Sequence, residues 1–147
     1  APFVIVPEHD FHVAALIDHE PARVHDGRMR ISNIVSRNQR FIGHSKYAGT
    51  YPYIDEIISS GEEAQACKPA PKGFQLGIRK AKCKKEEILW VTGHFWEIVG
   101  ANRQGLATAW VNRAQHPKLE IGVEPTYTVP HMQALTDILA DKMRKAG

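Results

Sequence analysis

The sequence predicts an α/β protein with a doubly wound parallel sheet in three layers, α/β/α, on three observations. Short β-branched and aromatic runs alternate with longer segments at helical spacing. One run, Ile88 to Val91, is apolar at every position, as a strand buried on both faces must be. A small, polar turn, Thr92-Gly93-His94, joins that run to a helical pattern that stops at Gly105. In open sheets of this kind ligands bind beyond the carboxyl ends of the strands. Thr92, His94 and Glu97 are therefore expected to point into that crevice, although a solvated turn and a capping carboxylate would account for them as well.

Composition bounds the rest. With 147 residues, 43% of them hydrophobic, the chain should form a single domain over 1–147 with one core. The net charge of +3 is mild. The basic cluster Arg79-Lys80-Lys82-Lys84-Lys85 is followed at once by Glu86 and Glu87 and carries no interleaved aromatics. It reads as a solvated helix end, and no nucleic-acid partner is expected. Cys67 and Cys83 form no metal-spaced pair and need not be bridged, which implies a reducing compartment. A cytoplasmic protein with neither metal nor cofactor is expected. No stretch approaches the ~20 apolar residues of a membrane span, and no signal peptide is visible. The sequence opens on Ala1 rather than Met, so processing or truncation at the N-terminus stays open.

Each element follows in order. Phe3-Val4-Ile5-Val6, ended by Pro7, is a strand or an extended entry. Phe11 to Ile17 is a short helix with Asp10 as N-cap. His19 to Gly27 is loop, and Arg28 to Ile31 is a strand that delivers Ser32-Asn33 at its end. Ser36 to Lys46 is helical, Tyr53 to Ile58 leads into a strand, and Gly61-Glu62-Glu63 is a polar turn. Lys68-Pro69-Ala70-Pro71 opens a helix, since proline suits the first turn, where its missing N–H has no partner to lose. Phe74, Leu76, Gly77 and Ile78 supply its packing face. After Ile88–Val91 and the helix Trp96–Arg103, Gly105 stands where a C′ glycine belongs. Leu106 to Val111 is the next strand, with Asn112-Arg113 at its tip. Ala114 to Pro125 is loop, and Tyr127–Val129 is an edge strand. A last helix from His131 carries Met132, Leu135, Ile138, Leu139 and Met143 on one face.

Parallel order brings the polar groups at the strand ends to one rim: Ser32-Asn33, Lys68, Thr92 to Glu97 and Asn112-Arg113. Taken singly, Ser32 reads as a helix cap and Lys68 as a surface lysine; together they make a site. Ile31-Ser32-Asn33, Lys68-Pro69-Ala70-Pro71 and the run Ile88 to Ala101, in that order, resemble the haloacid dehalogenase (HAD) superfamily, and within it the type II 2-haloacid dehalogenases. Gly105 to Arg113 resembles that branch's next strand and loop, and Glu124-Pro125 to Leu139 its closing segment.

The resemblance implies roles residue by residue. Ser32 and Asn33 match the motif that binds the substrate carboxylate or phosphate. Lys68 matches the lysine that neutralises the nucleophilic carboxylate and the charge developing in the transition state. Thr92, His94 and Trp96 match substrate-binding positions held in the family by a hydroxyl, an asparagine and an aromatic. Glu97 matches the acid that orients water in dehalogenases or holds magnesium in phosphatase branches.

The departures carry equal weight. The family attacks with an aspartate at the end of its first strand, in a D-x-D or D-x-Y-G-T pattern followed by a helical cap, and neither is visible here. Two readings of the N-terminus compete. In one, Pro7 to Ile17 is the helix before the Ser-Asn strand, and the nucleophile strand is absent. In the other, Phe3–Val6 is a degenerate first strand and Glu8-x-Asp10 stands in for the aspartate pair. Pro7, which would break the strand where the nucleophile should sit, favours the first. Glu97 is also one methylene longer than the family aspartate, and Ile34 stands where a glycine is usual.

The expectation is therefore a HAD-type core for a small anionic substrate, inactive as this chain alone. The alternative is a non-catalytic binding or structural relative. A missing central strand would expose two strand edges, which invites a filler. Three are considered: Phe3–Val6 of the same chain, the same strand of a partner copy in a homo-oligomer, or a separate N-terminal segment.

Overall fold

A computed structural model of the chain describes residues 3–7, 23–24, 27–28, 30–35, 42, 46–47, 51–66 and 70–146, the strands before residue 36 through their backbone. Six strands form one parallel sheet: β1 (Phe3–Pro7), β4 (Arg30–Val35), β5 (Glu56–Ser59), β6 (Ile88–Thr92), β7 (Ala107–Val111) and β8 (Tyr127–Val129). Their order across the sheet is β5-β4-β1-β6-β7-β8. The chain thus winds outward from β1 through β4 to β5, then restarts at β6 and winds the other way. This is the doubly wound arrangement expected, with its switch point between β1 and β6.

β1 overturns the preferred reading of the N-terminus. It lies in the centre of the sheet, Ile5 level with Ser32 on one side and with Trp90 on the other. The central place is filled by the chain's own first strand, the first of the three fillers considered. Pro7 does not break the strand because it is its last residue, where a missing N–H interrupts no earlier ladder bond.

A second correction concerns Ser32-Asn33. The strand predicted to end at Ile31 starts at Arg30 and runs on to Val35, so these residues sit within it. Ile34 and Val35 are β-branched and continue the ladder, pairing with Ile58 and Ser59 of β5. Upstream, β2 (Arg23–Val24) and β3 (Gly27–Arg28) pair antiparallel as a separate ribbon. The helix expected over Phe11–Ile17 lies outside the described residues, as does most of that over Ser36–Lys46.

Among the helices that accompany the sheet are α1 (Ser60–Glu63), α2 (Pro71–Ala81), α3 (Phe95–Arg103) and α4 (Met132–Ala146). The segment expected as a polar turn at Gly61–Glu63 is the single turn α1. Ser59 Oγ accepts from the Glu62 N–H at 3.3 Å while the Glu63 carboxylate accepts from the Ser59 N–H at 2.9 Å, so side chains satisfy both orphan donors. α2 begins with Pro71 in its first turn and ends at Lys82 in the left-handed region, φ +52°.

Alternation along β6 sorts the core into two layers. Ile88 and Trp90 pack with Phe74, Leu76 and Ala81 of α2 and Ala101 of α3. Leu89 and Val91 pack on the other side, with Val129 of β8 and Met132 and Leu135 of α4. α2 and α3 therefore cover one face and α4 the other, in the three layers predicted. Gly105, at φ +78°, ends α3 in a conformation that favours glycine and lets the chain re-enter the sheet at β7.

Candidate functional site

The segment from β6 into α3 builds the best-defined part of the rim. Thr92, the last residue of β6, is fully buried, and its Oγ1 accepts from the His94 N–H at 3.1 Å. That bond closes the turn through Gly93. His94 is the N-cap of α3 in extended backbone, and its carbonyl accepts from the Glu97 N–H at 3.0 Å. Its ring stacks on that of Trp96, centroids 5.6 Å apart and 26° from parallel. Trp110 of β7 holds the turn from the side, its Nε1–H donating to the Gly93 carbonyl at 3.1 Å while Phe95 meets its ring edge-on at 4.9 Å.

β7 ends in Val111, and the loop beyond it completes one wall. The Asn112 side chain bridges this loop: Nδ2 donates to the His116 carbonyl at 2.8 Å, and Oδ1 accepts from the His116 N–H at 2.9 Å. Farther along, Lys118 pairs with Glu124. Between this loop and the start of α3 opens a cleft of about 650 Å³, with His94 and Trp96 on one side and Arg113, His116 and Leu119 on the other.

The predicted residues divide. His94 and Trp96 line the cleft together, Trp96 exposed at 44% of its surface. Thr92 and Glu97, expected to point into the crevice, are fully buried and do not line this cleft. The cause is the start of α3 at Phe95, which places Glu97 with Ile98 and Ala101 on its inward stripe. There Trp90 Nε1–H donates to Glu97 Oε2 at 3.4 Å, a partner that a buried carboxylate requires. Ser32 and Asn33 lie on β4 directly beside β1, level with Ile5 and Val6. Lys68 and Asp10 lie outside the described residues.

Among the described residues no group of three or more His, Cys, Asp or Glu side chains could hold a metal ion, and no helix is long and apolar enough to cross a membrane. Sequence reasoning missed the contribution of His116 and Leu119. Their segment carries no periodicity, and the side-chain hydrogen bonds from Asn112 that tie His116 into this loop leave no pattern in the sequence.

No protein-family profile matches the chain. Among characterised proteins it is 34% identical over 85 residues to haloacetate dehalogenase H-2 of Moraxella sp. (strain B), covering 58% of this chain and 38% of that protein. It is 26% identical over 92 residues to (S)-2-haloacid dehalogenase 2 of Pseudomonas sp. (strain CBS-3), covering 63% and 40%. Among solved structures, an L-2-haloacid dehalogenase superposes with a TM-score of 0.68 at 23% identity, over 76% of this chain and 49% of that one. The chain thus spans about two fifths of the length of the characterised relatives it matches.

Proposed function

Because the chain belongs to the haloacid dehalogenase superfamily, close to the 2-haloacid dehalogenases, we propose that it is a hydrolase-type core for small anionic substrates whose 147 residues do not by themselves turn substrate over. The observation that carries this reading is β1. It holds the central place at the switch point, where the family's nucleophile strand belongs, yet it continues as Val6-Pro7-Glu8-His9-Asp10 without a D-x-D or D-x-Y-G-T pattern. Nucleophilic displacement splits one hard step into two easier ones, and a first strand without its carboxylate supports neither.

The supporting roles follow from placement. Ser32 and Asn33 on β4 neighbour the end of β1 and would bind the substrate anion. Lys68 would neutralise charge there. Thr92 shapes the turn, while His94 and Trp96 present rings to the substrate. In a working member Glu97 would orient water. A cytoplasmic, reducing setting completes the proposal.

A non-catalytic binding relative is the second reading. The burial of Glu97 against Trp90 favours it, since that indole draws a carboxylate oxygen into the core. Halide release from 2-chloropropionate and haloacetates, with phosphate release from aryl phosphates, tests the first. The purified chain should not exceed the uncatalysed rate. Release that disappears in Asp10→Asn or Glu8→Gln would show that this pair supplies the nucleophile and would overturn the proposed inactivity.

A further inference from the structure

The cleft between the start of α3 and the loop after β7 is larger than the hydrolase reading requires. Its volume of about 650 Å³ far exceeds a two- or three-carbon acid and falls within the roughly 300–1,000 Å³ of small-molecule sites. Phe95 and Trp110 line it but are spent on one another, edge to face at 4.9 Å and largely buried. Two other lining side chains are apolar and open: Trp96, from the first turn of α3, is 44% exposed, and Leu119, from the loop, is 52% exposed. Both walls are held in place. Trp96 belongs to a helix, and the loop is tied on either side of Leu119, by the Asn112 bridge to His116 and by the Lys118–Glu124 pair. A slot formed in advance loses little freedom when it binds.

We infer that this cleft takes a ligand bearing a planar aromatic ring, which enters between the indole of Trp96 and the side chain of Leu119. The chain itself already stacks one flat ring on Trp96, that of His94, with centroids 5.6 Å apart and planes 26° from parallel. An indole with one face covered in this way and 44% of its surface exposed offers its other face to the cleft that it lines. Aromatic pairs prefer offset, near-parallel contact, and a flat ring keeps that contact over its whole face while a puckered saturated ring does not. Leu119 supplies apolar cover on the far side, so a ring in the slot leaves water on both faces at once. Recognition rests on the ring and on these two walls, and the charged groups of the rim play no part in it.

The inference shares His94 and Trp96 with the substrate site proposed above and rests on that reading to this extent. It needs no turnover, so binding tests it separately. The three tryptophans of the chain give separate indole N–H signals in a proton–nitrogen correlation spectrum. Those of Trp90 and Trp110 donate to Glu97 and to the Gly93 carbonyl, and both residues are buried. Titration of the 147-residue chain compares benzyl alcohol with cyclohexylmethanol, uncharged alcohols on the same heavy-atom skeleton. The saturated alcohol is the more hydrophobic, so burial alone would favour it. Stacking should reverse that order, with benzyl alcohol binding about threefold or more tightly. The Trp96 signal should move with occupancy while that of Trp90 stays. Trp96→Ala should erase the preference, Trp96→Phe should keep part of it, and Leu119→Ala should weaken both alcohols. Equal or tighter binding of the saturated alcohol, no saturable shift at millimolar ligand, a shift at Trp90 with Trp96 unmoved, or a preference intact in Trp96→Ala would each overturn the assignment. The comparison in the parent chain decides even where Trp96→Ala does not fold. Failure here leaves the hydrolase reading standing, since halide release tests that.

Discussion

Glu97 and Gly100 show how single residues seat α3 on the core. The buried Glu97 carboxylate accepts from Trp90 Nε1, so Glu97→Ala leaves an indole N–H without that acceptor and should destabilise the fold by about 1–3 kcal/mol in urea titration. Glu97→Gln keeps the acceptor and the shape and should lose less. Gly100 faces the ring of Phe74, and a Cβ there would come within 2.6 Å of it. Alanine in place of a mid-helix glycine ordinarily adds about 1 kcal/mol. Here the clash with a fully buried ring, costing about 1–3 kcal/mol, should cancel or reverse that gain. In a Phe74→Leu background Gly100→Ala should turn neutral or stabilising, and denaturation midpoints of the four proteins check the sign. Neither constraint was legible in the sequence. Glu97 looks the same there whether it faces solvent or the core, and the packing of Gly100 on Phe74 joins positions from different helices.

At the scale of elements, α1, β5 and α2 are tied by Lys80, whose Nζ lies 2.5 Å from Glu63 and 3.5 Å from Glu56. Burial raises the Glu63 carboxyl, but hydrogen bonds from Lys80 and the Ser59 N–H, with the Lys80 charge, outweigh it and hold the group below its ordinary range. Lys80 is held above its ordinary value chiefly by its hydrogen bond to Glu63. The glutamate therefore contributes stability above its unfolded pKa near 4.3, lost as pH falls through the lower folded value. The lysine contributes below about 10.4, and this is lost as pH rises through its higher folded value. The pair is partly exposed, so the whole effect should stay below about 1 kcal/mol. Glu63→Gln should trail the parent at pH 7, and the gap should shrink at pH 3, as read by thermal unfolding at both. Elements with local signals were legible: the apolar run of β6, the glycine after α3 and, of the α4 stripe, Met132, Leu135, Ile138 and Leu139 all match. α1 carried a signal too, Ser59 three residues before Glu62, a capping pattern hidden by the neighbouring glycine.

At the scale of the whole molecule, the alternation of elements was enough to give the parallel sheet and its layers, but not the place of its first strand. Strand order is a non-local property, and five residues ending in proline look alike at an edge or in the centre. Pairing with β4 and β6 decides it, and puts β1 at the switch point of the sheet. Ile5→Pro should break the ladder at the switch point and cost about 3 kcal/mol or more, measured as a fall in the urea midpoint. The central place of β1 is tested most directly by native-state amide exchange at Val4, Ile5 and Val6. These amides should exchange only through global unfolding, with the same protection as those of Trp90 and Val91. Exchange of Val4 to Val6 within minutes, while Trp90 and Val91 stay protected, would contradict it.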